Sequence, residues 1–196
     1  MPNFKDYKEK YVEDRFFQEV FLDEDYKSAK EYLIVVDIGA LAGEFSFYMH
    51  EGAKVIYAIE PFSESYKELI ENIKEFGFDK VKPFKLALSD YNGEGHMVPA
   101  GRGGNVLLKE SGTPKTEKVK VKTLATFMRD EGIEHVNILK IDIEDGEKEV
   151  FYSEDFKNVS GKIDFIIGEH LEKLQSLFES YGFKAKNVGR NITYER

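Results

Sequence analysis

The sequence contains no cysteine, which excludes a disulfide framework, a thiol nucleophile and a zinc–thiolate site. It also lacks any apolar run of the roughly 18 residues that a membrane-spanning helix needs, and its first residues contain no apolar core of a secretion signal. Basic residues are fewer than acidic ones, with 28 Lys and Arg and 37 Asp and Glu, which gives a net charge of −9. Proteins that bind duplex DNA or anionic membranes normally carry the opposite balance. We therefore expect a cytoplasmic protein with no nucleic-acid partner and no membrane partner.

The rest of the composition is that of a globular chain. Its 196 residues fit one domain of ordinary size. Hydrophobic residues make up 41% of the chain, which is enough for a packed core, and charged residues make up 33%. Glutamine is scarce, with only Gln18 and Gln175, whereas Lys and Glu dominate the charged set. This bias is typical of heat-adapted proteins, so the composition is thermophile-like.

The N-terminal segment, residues 1–32, has a helical pattern. Aromatic side chains such as Phe4, Tyr7 and Tyr11 recur at three- and four-residue steps, and this spacing predicts one or two helices. We expect these helices to pack on a main domain formed by residues 33–196. A lid over a ligand is the alternative interpretation.

Five short apolar runs alternate with helical patterns in the main domain. Continuous apolar runs are typical of strands buried on both faces of a parallel sheet, which predicts strands at 33–38, 54–60, 83–89, 136–143 and 162–169. The alternation predicts an α/β fold with a Rossmann-like, doubly wound, mostly parallel sheet. The tail around Gly189 and Arg190 predicts an antiparallel hairpin at the end of the chain.

Local signals add detail to this outline. The strictly alternating KVKVK of residues 118–122 predicts a strand with its lysines in solvent and its valines inward. Ser65 and Glu68 have the spacing of a capping box, which predicts the start of a helix that ends at Gly77. Thr123 is expected to cap the helix that follows the alternating strand.

The first turn of such a sheet is where a ligand is expected. The turn is VVDIGALAGEFS and contains Asp37, Gly39 and Gly43. Gly39 permits a tight exit from the strand, Gly43 permits close approach of the next helix, and Asp37 either accepts bonds from an ammonium or orders the loop. Glu60 ends the second strand 23 residues after Asp37. This approximates the spacing at which an acid binds a ribose diol.

The glycine spacing favours one nucleotide over another. Dinucleotide-binding turns use G-x-G-x-x-G, in which closely spaced glycines bring the backbone against a pyrophosphate. Here the pattern is D-x-G-x-x-x-G, and residue 41 is not glycine. A ligand with a ribose and no phosphate suits this turn better, so S-adenosylmethionine is favoured over NAD; an ordinary strand–turn–helix connection is the other alternative. Ser89 and Asp90, after the third strand, are expected beside the adenine.

Four segments together resemble the FkbM-type methyltransferases. They are VVDIGALAGEFS, AIEP, ALSDYNGEG and VKTLATFMRDEGIEHVNILKIDIEDGEKEV, in this order between about residues 33 and 170. The most specific piece is KIDIE, preceded by VKTL and followed by Glu147. Members of this Rossmann-like, adenosylmethionine-dependent family mostly methylate hydroxyl oxygens on sugars and natural products. The resemblance implies cofactor contacts from Asp37, Gly39, Gly43, Glu60 and Asp90.

The chain departs from the family pattern at two places. Ala125 and Thr126 stand where the family commonly has an acidic pair, and Gly146 comes one place later than the glycine of the family's E-G-x-E. Both places lie nearer the substrate side than the cofactor side. They therefore bear on the acceptor more than on cofactor binding.

The catalytic candidates follow the fourth and fifth strands. Methyl transfer to a hydroxyl needs a base that removes the hydroxyl proton, and if the two strands are neighbours, Asp142 and Glu144 converge with Glu169 and His170. His170 is the first choice for the base because imidazole titrates near neutrality, and Asp142 is the second. The alternative for each is a helix-capping acid or a surface histidine. The same groups suit a divalent metal, but no ligand motif supports a metal site.

These patterns predict an S-adenosylmethionine-dependent methyltransferase that acts on a hydroxyl of a small or glycosylated acceptor. Two alternatives stay open. One is an NAD(P)-linked oxidoreductase with a similar sheet. The other is a non-catalytic adenosylmethionine-binding or scaffold protein that has lost its acceptor site, which the two departures make a serious alternative.

Overall fold

Two sheets and seven helices make up the described part of the chain. The structure is a computed structural model that describes residues 3–11, 13, 33–99, 106–110, 116–143, 146–168, 171–188 and 191–196. The strands are, in chain order, β1 Leu33–Ile38, β2 Ala53–Ile59, β3 Val81–Phe84, β4 Ala87–Leu88, β5 Gly93–Val98, β6 Val106–Leu108, β7 Glu117–Lys122, β8 Val136–Ile141, β9 Ile163–Gly168, β10 Lys184–Val188 and β11 Asn191–Glu195. The helices are α1 Phe4–Tyr11, α2 Glu44–Tyr48, α3 Ser63–Phe76, α4 Leu124–Asp130, α5 Glu147–Tyr152, α6 Glu154–Ser160 and, after a 3-10 turn at Leu171–Leu174, α7 Gln175–Ser180. Within these ranges, no helix is both long and apolar enough to cross a membrane.

The main sheet has the order β10-β11-β9-β8-β1-β2-β3. Strands β3, β2, β1, β8 and β9 are parallel, whereas β11 is antiparallel to both of its neighbours, β9 and β10. The chain passes outward from β1 to β3 and later returns to the other side of β1 as β8. The predicted α/β class with a doubly wound, mostly parallel sheet is confirmed.

The continuous apolar runs have a simple physical cause, which is that each parallel strand faces a core on both sides. In β1, Val36 and Ile38 belong to one hydrophobic core, whereas Leu33 and Val35 belong to another core on the opposite face. Every position of such a strand therefore needs an apolar side chain. A polar residue in it is an exception that requires an explanation.

A second, smaller sheet has the order β4-β7-β5-β6. Val119 and Val121 of β7 are buried, whereas Lys118 and Lys120 are exposed, which confirms the strand predicted from the alternating KVKVK pattern. The predicted solvent position is wrong for Lys122, which is buried and pairs with Asp130 of α4 (2.8 Å). The two valines pack with Met97 in a separate hydrophobic core. This sheet stands beside the carboxyl end of β3 because β4 follows β3 directly.

The prediction of one strand over residues 83–89 is wrong. Pairing with β2 ends at Phe84, and the chain then enters the second sheet, where Ala87 pairs with Val121 of β7. The apolar run continues through this change of sheet because Leu86 and Leu88 are buried in the main core while Ala87 is buried in the second core. Hydrophobicity alone does not mark the change.

The capping box predicted at Ser65 and Glu68 is also wrong. Helix α3 begins at Ser63, and Ser65 is buried within its first turn. The Ser63 backbone N–H donates to the Glu117 carboxylate (3.1 Å), and the Ser63 hydroxyl donates to the same group. A residue of β7 therefore caps the helix, and no local spacing signals it. The predicted end at Gly77 is confirmed, with a left-handed φ of 74°.

Helix α1 packs on the main domain through its aromatic residues. The Tyr7 ring contacts Phe47 and Phe76, with centroid distances of 5.0 and 5.3 Å. The Tyr11 hydroxyl donates to Oδ1 of Asn72 in α3 (2.8 Å). These are contacts of core packing. Residues 14–32 of the predicted N-terminal helical segment lie outside the described residues.

Candidate functional site

A cavity of about 350 Å³ lies where the strand order reverses. Strand β1 has β2 on one side and β8 on the other, and in open α/β sheets ligands bind at the carboxyl ends of the strands at this point. The main sheet contributes Ile38, Gly39, Leu41, Ile59, Glu60, Pro61, Asp142 and Ile143 to the lining. The chain from β3 to β6 and helix α5 contribute Leu86, Ala87, Leu88, Ser89, Tyr91, Met97, Val106, Leu107, Leu108, Lys109, Gly146 and Glu149.

The floor of the cavity is the turn after β1. Gly39 has φ 78°, and a Cβ there would overlap the carbonyl oxygen of Asp142. The Gly39 N–H donates to the Ile59 carbonyl of β2 (3.0 Å), and the Asp142 N–H donates to the Ile38 carbonyl (3.0 Å). The turn is therefore wedged between its two neighbouring strands, and only glycine fits it.

Gly43 shapes the other end of this turn. It has φ 102° and immediately precedes helix α2. A Cβ on Gly43 would overlap the Phe47 ring and crowd Leu69. Because Gly43 has no side chain, helix α2 can approach the strand closely, as the sequence predicts. Gly43 is not among the described residues that line the cavity.

Beneath the turn lies a buried ion pair. Asp37 is fully buried, and Oδ1 of its carboxylate lies 3.3 Å from Nζ of Lys140, which is 6% exposed. The Ser46 hydroxyl donates to the other oxygen, Oδ2 (2.7 Å). Oδ1 receives no hydrogen bond of good geometry from any described group, so the Lys140 ammonium supplies its main compensation.

Lys140 connects this ion pair to the cavity. Its ammonium donates to the Gly39 carbonyl (2.8 Å) and lies 4.0 Å from the Asp142 carboxylate. The ammonium therefore contacts both the turn after β1 and the residue that follows β8. Asp37 does not line the cavity, and its observed contacts are those of a residue that orders the loop.

Glu60 is the buried acid of the cavity. It is 3% exposed and accepts backbone hydrogen bonds from Leu41 (3.0 Å) and Phe62 (2.9 Å). Burial raises the pKa of Glu60 to about 7, although these two N–H donors and the Lys140 ammonium act in the opposite direction. Leu41 adopts a left-handed φ of 47°, the single positive φ of a non-glycine residue in the described chain, and its N–H meets the carboxylate.

The polar pair after β4 separates into two environments. Ser89 is buried and lines the cavity, and its N–H donates to the Lys122 carbonyl (3.0 Å). Asp90 is exposed and pairs with Lys109 of the loop after β6 (3.1 Å). The structure thus brings Ser89 to Glu60 and Gly39, whereas the Asp90 side chain contacts Lys109 instead of lining the cavity.

One of the three catalytic candidates lies in the described part of the site. Asp142 lines the cavity, and its side chain is 30% exposed. The following residue, Ile143, donates its N–H to the Glu147 carboxylate (3.0 Å), which shapes the chain after β8. Glu144 and His170 lie outside the described residues, and their roles stay predictions.

The remaining histidines lie away from the cavity lining. His50 is buried against Phe78 with its Nε2 3.2 Å from Asp79, and burial lowers its pKa despite that carboxylate. His135 pairs with Asp164 (2.9 Å). Among the described residues, no group of three or more His, Asp or Glu side chains is arranged to hold a metal ion.

Three features of the site are absent from the sequence-based prediction. Lys140 had a visible signal, because it is the charged residue inside the apolar run of β8. Leu41 had none, since a left-handed backbone is uncommon for a leucine. The apolar side chains that β5 and β6 contribute to the cavity lining come together only through pairing between these two strands.

Comparisons with known proteins agree with this geometry. Residues 37–185 match the Methyltransferase FkbM domain family. No curated protein matches the chain in sequence. The FkbM methyltransferase of Methylobacillus flagellatus KT has a similar structure, with a TM-score of 0.62 at 12% identity over 96% of this chain and 50% of that one. The present chain therefore spans half the length of that protein.

Two further solved structures share the fold. Precorrin-6y C5,15-methyltransferase of Geobacter metallireducens GS-15 has a TM-score of 0.53 at 12% identity, over 90% of this chain and 87% of that one. TrmK of M. capricolum, solved with S-adenosylhomocysteine, also has a TM-score of 0.53 at 12% identity, over 89% and 66% of the two chains. The family match extends over most of the sequence and confirms the resemblance found in its motifs. The chain belongs to the FkbM methyltransferase domain family.

Proposed function

We propose that the protein is a methyltransferase that transfers the methyl group of S-adenosylmethionine to a hydroxyl oxygen of a small or glycosylated acceptor. One observation carries the proposal, which is the buried Glu60 carboxylate in the wall of an open cavity beside the Gly39 turn. Family membership over residues 37–185 supports methyl transfer as the class of reaction.

The residues of the cavity fit an adenosyl ligand. Each Glu60 oxygen accepts one backbone N–H, and a carboxylate oxygen has a further lone pair, so the group can still accept from the two hydroxyls of a ribose. Ser89 and the apolar Leu86 and Leu88 line the cavity near the end of β3, where they suit an adenine. Leu41 stands where a dinucleotide-binding turn carries its second glycine, which supports adenosylmethionine over NAD.

When bound, adenosylmethionine supplies a methyl carbon that is already activated by its sulfonium. The chain then has to hold the acceptor hydroxyl in line, exclude water and accept the hydroxyl proton. As the O–C bond forms and the C–S bond breaks, that proton moves to a base and S-adenosylhomocysteine is released. Asp142 lines the cavity and can accept the proton at Oδ, and His170 is the other predicted base.

A transfer assay with methyl-labelled adenosylmethionine and a panel of sugar, phenol, alkanol and amine acceptors tests this proposal. We expect label in hydroxyl acceptors. Of the two variants Asp142→Asn and His170→Gln, the one that removes the base should have a roughly 10²-fold lower kcat. The pH profile of kcat should change in that variant. A matched surface variant, Glu94→Gln, removes an exposed pair with Lys118 and should leave kcat unchanged. Transfer to amines alone, or none to any hydroxyl, would contradict hydroxyl methylation.

A further inference from the structure

Strand β6 is apolar on both of its faces. It comprises Val106, Leu107 and Leu108 and is an edge strand of the second sheet as formed by the described residues. Leu107 pairs with Met97 of β5 and packs with it at the second core. Val106 and Leu108 point to the other face and are 41% and 36% exposed. An exposed apolar edge strand invites unwanted pairing and is normally blunted by charge, so its presence calls for a function.

Strand β6 lies at the cavity, which indicates a role in ligand binding. All three of its residues line the cavity described above, together with the buried Met97 and Leu88. We call Val106–Leu108 together with Met97 the apolar wall. The apolar wall begins inside the cavity and continues to the protein surface. An apolar surface that is continuous with a ligand cavity can bind the apolar part of a second molecule, which would lie beside the cofactor.

Charge near the apolar wall is already compensated. Lys109, the residue after β6, pairs with Asp90 (3.1 Å), and its ammonium lies 5.0 Å from the centroid of the Tyr91 ring. Burial raises the pKa of Tyr91, so its phenol stays neutral at physiological pH. This side of the cavity therefore favours an uncharged apolar group over an anionic one.

The same cavity also has a polar side. Asp142 at the end of β8 and Glu149 on α5 both line it. Asp142 is the described candidate for accepting a hydroxyl proton. A cavity with a proton acceptor on one wall and alkyl side chains on another fits an amphipathic molecule.

We propose that the methyl acceptor carries an apolar body, alkyl or aromatic, that lies on the apolar wall while its hydroxyl faces Asp142. This inference rests on the proposed function, since it names the acceptor class of that site. It makes Leu108 and Val106 specificity-determining residues. Acceptors that are polar throughout would gain nothing from this wall.

The test compares 1-butanol with 1-hexanol, which carry the same hydroxyl and differ by two methylenes. Titrations are followed by the methyl NMR signals of Leu108, with and without saturating S-adenosylhomocysteine. Because two more methylenes are buried, 1-hexanol should bind roughly tenfold more tightly than 1-butanol. In Leu108→Ser, followed through the signals of Leu107 and Val106, this ratio should fall below threefold.

Ile70→Ser is the matched control, because Ile70 is an apolar residue of similar exposure (41%, against 36% for Leu108) on helix α3 outside the cavity lining. It should keep the tenfold ratio. Equal affinities for the two alkanols in the wild type, or an unchanged ratio in Leu108→Ser, would overturn the apolar acceptor while leaving the proposed function intact. Failure of S-adenosylhomocysteine to bind the wild type, measured in the same samples, would overturn both.

Discussion

The Lys140 ammonium lies 3.3 Å from the Asp37 carboxylate, and the two residues are direct partners in the parallel pairing of β1 with β8. Side chains of paired residues on parallel strands project to the same face of the sheet, so the register itself creates this ion pair. The ammonium also binds the Gly39 carbonyl. The pair therefore joins the two strands from which the cavity floor is built.

Removing one partner of this pair should destabilise the fold strongly. Lys140→Met leaves the Asp37 carboxylate buried without its compensating charge, and we expect a loss of roughly 3–5 kcal/mol in the free energy of unfolding, measured by urea denaturation. The double variant Asp37→Asn/Lys140→Met removes both charges and should lose less than the sum of the two single variants.

The exposed pair of Lys186 with Glu195 (3.2 Å) provides the control. Lys186→Met should change the free energy of unfolding by at most about 1 kcal/mol, because exposed pairs are screened by water. Additive losses in the double variant at positions 37 and 140 would show that the two charges do not compensate each other.

Alanine variants of Gly39 and Gly132 distinguish the energetic cost of a left-handed backbone from the cost of a steric clash. Both have a left-handed φ, 78° and 65°, but a Cβ on Gly39 meets the Asp142 carbonyl, whereas nothing lies within 4 Å of a Cβ on Gly132. Gly132→Ala should therefore cost roughly 1–2 kcal/mol of unfolding free energy. Gly39→Ala should cost clearly more and should also weaken binding of S-adenosylhomocysteine. Equal losses in the two variants would show that the turn has room for a side chain.

The titration of Glu60 should appear in the pH dependence of stability. Its pKa is about 7 in the folded protein and 4.5 as an ordinary glutamate. A carboxyl with a raised pKa stabilises the fold fully below pH 4.5, and this contribution is lost as the pH rises through 7. The wild type should therefore lose up to about 1.4 kcal/mol per pH unit within this window from this group.

Glu60→Gln removes that titration because the amide is neutral at every pH. Urea denaturation at pH 5, 6, 7 and 8 should show that the wild type becomes progressively less stable relative to Glu60→Gln up to about pH 7, with little further change by pH 8. A constant difference between the two proteins across the series would mean that Glu60 does not titrate in this window.

The sequence predicts the main sheet well because local hydrophobicity carries the relevant information. A strand with a core on each face is apolar along most of its length, and the runs at 33–38 and 136–143 show this, with the paired Asp37 and Lys140 as the buried charged exceptions. The turn glycines follow from the same logic, since Gly39 must leave the strand without a side chain. Gly43 does the same at the start of the next helix.

The predictions fail where distant segments decide the structure. The run at 83–89 looks like one strand, yet it serves two sheets, because β7 pairs with its second half. The start of α3 depends on Glu117, which lies 54 residues away from Ser63 in the chain. The apolar wall likewise arises only when β6 pairs with β5. None of these pairings has a local signal.

The most direct test of the adenosyl cavity is calorimetric titration of the protein with S-adenosylhomocysteine and, separately, with NAD. We expect S-adenosylhomocysteine to bind one site per chain more tightly than NAD. Glu60→Ala should weaken that binding at least tenfold, or about 1.4 kcal/mol, because its bonds to the ribose diol are lost. Tighter binding of NAD, or an unchanged affinity for S-adenosylhomocysteine in Glu60→Ala, would contradict the assignment of this cavity to adenosylmethionine.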